Sequence, residues 1–147
     1  MSTLPGTVVI VSGLSGSGKS VALRTLEDLG FYCVDNLPAS LLTSLLGNIE
    51  PSDVRRQRIA VSIDVRNLNT DMNLIGQWLA QAHGMGFTTK LVFFDTEEAT
   101  LIKRFADTRR RHPLSVHGRS LPDAIAEERK QLKPLVALAD LVIDTSN

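Results

Sequence analysis

The chain has 147 residues, 43% hydrophobic and 22% charged, a composition that fits one ordinary globular domain with a proper core. Its 16 Lys and Arg balance 16 Asp and Glu, which excludes a global basic field that would draw the whole molecule onto nucleic acid. The single cysteine, Cys33, excludes an internal disulfide, so a reducing cytoplasm is the expected compartment. No apolar run approaches the roughly 18–20 residues of a membrane helix.

Met1–Gly6 reads as a short frayed leader. Val8–Val11 is a run of β-branched residues, the signature of a strand buried on both faces. It runs into Gly13-Leu14-Ser15-Gly16-Ser17-Gly18-Lys19-Ser20, which matches the phosphate-binding pattern G-x-x-x-x-G-K-[ST]. Gly13, Gly16 and Gly18 permit a tight turn and a close approach to phosphate oxygens. Successive N–H groups then form an anion nest. Lys19 supplies a point charge for β- and γ-phosphates, and Ser20 a hydroxyl for Mg²⁺. Val21, Leu23, Leu26 and Leu29 follow at helical spacing and Gly30 suits the C′ position, so the helix aims its positive end at the phosphates. A glycine-rich turn without a ligand is the competing reading. The Lys-Ser pair and the strand–helix flanks weigh against it.

Phe31–Val34 is a second apolar run, ending in Asp35-Asn36-Leu37-Pro38. Asp35 stands where small-molecule kinases often face an acceptor hydroxyl, but a turn-forming Asp-Asn before Leu-Pro is the preferred reading. Cys33 fits a buried structural thiol better than a nucleophile. Ala39–Leu46 fits a helix, and Gly47–Gln57 a polar connection containing Pro51. Arg58–Asp64 is a third strand and Val65–Thr70 a loop. Asp71–Met85 is helical in pattern, with Gly84 and Gly86 at its end. Lys90–Asp95 is a fourth strand. Thr96 is a natural N-cap, with Glu97 and Glu98 in the first turn of a helix to about Thr108. Arg109–Arg119 is a basic loop. Ser120-Leu121-Pro122-Asp123 resembles a capping box opening a helix to about Leu138. Leu141–Asp144 is a fifth strand.

Strand and helix alternate throughout, which predicts a parallel sheet with right-handed crossovers and helices on both faces. In such a sheet the ligand sits at the carboxyl ends of the strands, where the glycine loop, Asp35, Asp64, Asp95 and Asp144 all fall. The fold expected is an α/β P-loop NTPase of the nucleoside-kinase type, a three-layer sandwich around a five-stranded parallel sheet. In such folds the third strand flanks the P-loop strand on one side and the fourth on the other. That analogy favours Asp64 over Asp95 as the acid on the Mg²⁺ side. Arg66 could hold transferred charge or stand on the surface. Arg104 and the crowded Arg109, Arg110, Arg111, His112, His117 and Arg119 can form a kinase-like lid over the γ-phosphate. A solvated basic loop and a patch for an RNA backbone are the alternatives. No aromatic residue is interleaved for base stacking, and the histidines lack further ligands at zinc spacing.

The stretch Gly13–Ser20 with Val21-Ala22-Leu23, then Leu26 through Asp35-Asn36-Leu37-Pro38, resembles the RNase adapter protein family (RapZ, also called YvcJ-like). Asp64-Val65-Arg66-Asn67, the run from Arg104-Phe105 through Arg109-Arg110-Arg111-His112-Pro113-Leu114, and Asp144-Thr145-Ser146-Asn147 match the same family. The resemblance covers nearly the whole chain. It implies a P-loop protein that binds and hydrolyses ATP or GTP with Mg²⁺, the P-loop being the ATP site and Asp64–Asn67 a GTP-associated motif. It further implies partners, small regulatory RNA and an endoribonuclease, and an effect on glucosamine-6-phosphate synthesis. RNA contacts would lie mainly in a C-terminal domain absent here. Residues 1–147 are then expected to be one nucleotide-binding domain of a protein about twice as long, with a homo-oligomer open for the full-length form and no membrane partner.

In this reading Lys19 holds the β/γ-phosphates and Ser20 and Asp64 hold Mg²⁺. Water is the nucleophile, and Arg104 or Arg109 supplies transition-state charge. Gly13–Ser20 and Asp64, Val65, Arg66 and Asn67 contact the nucleotide. A small-molecule or nucleotide kinase, with Asp35 and Arg66 holding an acceptor, shares every one of these parts. A pure RNA-binding module is the third reading.

Overall fold

The computed structural model describes residues 6–14, 16–50, 52–63, 74–108 and 120–146. The element order is β1 (Gly6–Gly13), α1 (Lys19–Asp28), β2 (Tyr32–Leu37), a 3-10 turn (Ala39–Leu41) leading into α2 (Leu42–Gly47), a second 3-10 turn (Val54–Gln57), β3 (Ile59–Ile63), α3 (Leu74–Gly84), β4 (Phe87–Asp95), α4 (Glu98–Thr108), α5 (Leu121–Leu138) and β5 (Leu141–Asp144). The strands form one parallel sheet in the order β2-β3-β1-β4-β5. The P-loop strand therefore lies between β3 and β4, as the kinase analogy requires.

The two-sided apolar character of β1 explains its central place. Val8 and Ile10 face a large core shared with Leu91 and Phe93 of β4, Leu42 and Leu46 of α2, Leu101 of α4, and Ile125, Leu132 and Leu135 of α5. Val9 and Val11 face the other way, with Ala60 of β3 and Leu23 and Leu26 of α1. Fully burying an aliphatic side chain of this kind contributes about 1.5–3 kcal/mol. Neither face of β1 could be turned to water without losing several such terms.

Helix ends follow their local chemistry. At the C-terminus of α1 the Gly30 N–H donates to Glu27 O and the Phe31 N–H to Leu26 O, both at 3.0 Å. Gly30 has φ 95°, so this is a Schellman stop that a Cβ would strain. Ser120 caps α5, its Oγ accepting from the Asp123 N–H at 3.2 Å, with Pro122 in the first turn.

Several boundaries differ from the sequence expectation. β4 begins at Phe87 rather than Lys90, because Phe87-Thr88-Thr89 pairs with Gly6-Thr7-Val8. The strand of Asp35-Asn36 continues to Leu37 instead of turning at Asp35. α4 begins at Glu98, not at a Thr96 cap. Thr96 Oγ1 instead bonds Thr145 Oγ1 at 2.6 Å, and Ser146 Oγ accepts the Glu97 N–H at 2.9 Å. No helix among the described residues is long and apolar enough to cross a membrane.

Candidate functional site

The loop between β1 and α1 has the backbone that its glycines foretell. Gly13, Gly16 and Gly18 have φ of 144°, 85° and 103°. At Gly13 the requirement is also steric, since a Cβ there would lie 2.3 Å from the Phe94 carbonyl oxygen. Around Gly18 there is open space, so only the left-handed backbone asks for glycine. Gly18 is the N-cap of α1 and offers no side chain. The first turn of α1 also contains no acidic residue. Neither a capping side chain nor an acid of that turn offsets the positive end of the helix.

The expected phosphate-binding residues Gly13, Leu14, Gly16, Ser17, Gly18, Lys19 and Ser20 come together in this loop, and Ser15 lies outside the described residues. Leu14 stands apart from the others. Its side chain is fully buried in the core and its N–H donates to Phe94 O at 3.3 Å. It anchors the loop and does not face the concavity. Lys19 Nζ donates to Gly13 O at 2.9 Å, folding the ammonium across the loop. Ser20 is exposed at the start of α1.

The outer side of the loop is tied to the far end of the chain. Arg104 of α4 donates from Nη1 to Gly16 O at 2.9 Å and from Nη2 to Thr145 O. Thr145 Oγ1 donates to Ser17 O at 2.7 Å, and the Thr145 N–H donates to Asp95 O at 2.8 Å. The Thr145 hydroxyl is thus committed to the P-loop backbone, a role that spacing alone could not disclose.

Asp95 is also committed. Its Oδ1 accepts the Thr96 N–H at 2.8 Å and Arg129 Nη1 at 2.8 Å, while Arg129 Nη2 donates to Thr96 O. Asp144 Oδ1 accepts the N–H and the O–H of Ser146 at 2.8 and 2.5 Å, which holds its carboxyl below the ordinary value of 3.8. The Cys33 thiol donates to Leu23 O at 3.4 Å, and burial, with Glu27 adding to it, pushes its pKa up. That suits a structural thiol rather than a nucleophile. Asp64, Val65, Arg66, Asn67 and the basic run Arg109–Arg119 lie outside the described residues.

A cleft of about 200 Å³ opens beside the loop, between α1 and β2, lined by Ser20, Leu23, Arg24, Glu27, Cys33 and Asp35. No cluster of three or more His, Cys, Asp or Glu suited to a metal occurs among the described residues.

The fold is similar to that of shikimate kinase from Bacteroides thetaiotaomicron, with a TM-score of 0.63 at 14% identity over 95% of this chain and 86% of that one. It is also similar to a gluconokinase from Sinorhizobium meliloti, with a TM-score of 0.57 at 19% identity over 99% and 85%. In sequence, a nucleotide-binding protein of Stenotrophomonas maltophilia is 54% identical over 96% of this chain and 48% of its own length. Another from Xanthomonas axonopodis pv. citri is 52% identical over 94% and 49%. The chain thus spans about half the length of the curated relatives it matches. The family model for the RapZ-like N-terminal domain matches residues 7–147. With that match running from β1 through β5 and a P-loop in its expected frame, the chain belongs to the RapZ-like N-terminal domain family.

Proposed function

We propose that this chain is a regulatory nucleotide-binding domain that binds and slowly hydrolyses ATP or GTP. The observation that carries the reading is the loop itself: three left-handed glycines, an uncompensated helix N-terminus and Lys19 folded over them. Lys19 exchanges the Gly13 carbonyl for the β- and γ-phosphates when nucleotide enters. Water attacks the γ-phosphorus, the bond to the β,γ-bridging oxygen breaks, and the products are the nucleoside diphosphate and inorganic phosphate. Arg109 supplies charge to the transition state, since the Arg104 guanidinium is engaged with Gly16 and Thr145.

The donor set suits Mg²⁺, which is normally held by one or two protein groups plus phosphates and water. An exposed Ser20 hydroxyl beside the loop agrees with that pattern. Ser20 and Asp64 would hold the ion, and bound there it would neutralise charge on the phosphate oxygens.

Calorimetric titration of ATP and GTP with Mg²⁺, on wild type and Lys19→Ala, tests the reading. Binding in the wild type and its loss in the variant are expected. Equal affinity in both would overturn the site, and no binding to the wild type would favour a pure RNA-binding module.

For the longer protein, the family resemblance supports a cytoplasmic RNase adapter that binds small regulatory RNA, controls its processing by an endoribonuclease and so affects glucosamine-6-phosphate synthesis. RNA retention by the full-length protein with and without nucleotide tests that assignment. The cleft at Asp35 favours one competing reading, a small-molecule kinase. Release of phosphate from labelled ATP without any acceptor supports hydrolysis, whereas transfer to one metabolite supports the kinase.

A further inference from the structure

The geometry points to the cleft between α1 and β2 as a second ligand site, for a small uncharged polyhydroxylated molecule held by Asp35, Glu27 and Arg24. Four observations converge on Asp35. The β2–β3 register shifts between Val34 and Leu37, so the strand bulges at Asp35-Asn36. Asn36 has φ 55°, and among the described residues it alone is a non-glycine with positive φ. Bulges re-aim side chains, and such backbone strain persists only where the surroundings hold it.

What holds it is Ser62 of β3. This serine is nearly fully buried. Its Oγ accepts the Asn36 N–H at 2.8 Å and its hydroxyl donates to Asp35 Oδ1. One carboxylate oxygen of Asp35 is therefore pinned, while Oδ2 has no hydrogen-bond partner among the described residues. The side chain is exposed and lines the cleft. A carboxylate fixed by one oxygen and open at the other is preorganised to accept from a ligand hydroxyl.

The opposite wall gives the ligand class. Ser20, Leu23, Arg24 and Glu27 fall at i, i+3, i+4 and i+7 of α1, one face of the helix. Along that face Arg24 and Glu27 are exposed, whereas Leu23 is largely buried in the core. Arg24 and Glu27 have no ion-pair partner among the described residues. With Asp35 the cleft carries two negative charges and one positive. An anion would meet two carboxylates, and a cation would meet Arg24. Hydroxyl groups satisfy both signs, donating to Asp35 and Glu27 and accepting from Arg24. The cleft volume of about 200 Å³ falls below the roughly 300–1,000 Å³ of pockets for drug-sized ligands, which suits a molecule of a single small ring or chain. Ser20, in the first turn of α1, lines the cleft, so the ligand would lie near the phosphate end of the P-loop. Only that last placement rests on the nucleotide reading.

The test is a titration of the isotope-labelled protein with D-glucose, myo-inositol and, as an anionic comparator, gluconate, followed by amide shifts. It is run with and without a non-hydrolysable ATP analogue and Mg²⁺. Saturable shifts at Ser20, Arg24, Glu27, Cys33 and Asp35 are expected for at least one neutral polyol. Asp35→Asn and Ser62→Ala should each weaken that binding by about tenfold, the loss of one charge-assisted hydrogen bond. Affinity for the ATP analogue is measured on the same samples and should be unchanged by Asp35→Asn, so the two readings fail separately. No saturable binding of either polyol overturns the assignment. Tighter binding of gluconate, or polyol binding indifferent to Asp35→Asn, overturns it as well. Because Asp35 is exposed, Asp35→Asn should keep the wild-type fold, and far-ultraviolet circular dichroism checks that it does.

Discussion

Arg104 Nη1 donates to the carbonyl oxygen of Gly16 at 2.9 Å across 88 positions of sequence. The same guanidinium reaches Thr145 O just past β5. A planar fork can bridge two carbonyls at once, which a lysine ammonium does far less well. The outer wall of the P-loop is thereby fastened to α4 and to the exit of the last strand.

The bridge predicts where Arg104→Met should be felt. Charged hydrogen bonds to a backbone carbonyl are worth about 1.5–3 kcal/mol. Losing the one that shapes the loop should weaken Mg²⁺-nucleotide binding by roughly tenfold. A residue acting only on the transition state would lower kcat and leave affinity unchanged. Calorimetry beside single-turnover hydrolysis separates the two roles. Thr145→Val, which removes the bond to Ser17 O with little change of shape, should move affinity in the same direction.

Two glycines of the loop should respond differently to alanine. Gly13→Ala sets a methyl 2.3 Å from Phe94 O, against backbone that belongs to the β1–β4 ladder and cannot yield. Strain and overpacking together should cost about 3 kcal/mol or more. Gly18→Ala meets no atom within 4 Å, so it carries only the left-handed penalty of about 1–2 kcal/mol. Urea unfolding should rank them in that order. Gly18→Ala should remain folded and lose nucleotide affinity, since its methyl enters space beside the phosphate cradle.

What could be read beforehand divides along the range of the interactions involved. The P-loop was legible because its residue types are dictated locally, by backbone torsions and by phosphate charge. β1 was legible because a strand covered on both faces must be apolar throughout. The bulge at Asp35-Asn36 was not, because an Asx residue with positive φ looks the same in a turn as in a bulged strand, and the difference is made by Ser62, 26 residues away from Asn36. The start of α4 was misplaced for a related reason. Thr96 has the chemistry of an N-cap, but its hydroxyl is claimed by Thr145, and Ser146 serves the helix end instead. Nothing in the local pattern announces a cap brought from 49 residues away.

The commitment of Asp95 bears on the metal. Asp95 is bonded to the Thr96 N–H and to Arg129, and both members of that pair are partly exposed, at 39% and 40%. Asp95→Asn should therefore cost at most about 1 kcal/mol of stability and leave the Mg²⁺ dependence of nucleotide binding intact. Asp64→Asn should instead raise the Mg²⁺ concentration needed for tight binding. Magnesium titrations at fixed ATP on the two variants check the assignment. A larger effect from Asp95→Asn would transfer the metal role to Asp95.

The end of β5 should be sensitive to acid. Asp144 accepts two hydrogen bonds from Ser146 through one oxygen, and these hold its pKa below 3.8. A depressed carboxylate contributes stability that is fully present above the unfolded value and is lost as pH falls through the folded one. The Asp144–Ser146 turn should accordingly be intact at neutral pH and open progressively below about pH 4. Ser146 also accepts the Glu97 N–H at the start of α4, so its release exposes that helix end. Carboxyl-carbon titration by NMR should place the Asp144 midpoint below that of an unstructured aspartate. Ser146→Ala should return the midpoint toward the ordinary value and speed amide exchange at Glu97. A midpoint unmoved by Ser146→Ala would show that these two bonds are not what depresses it.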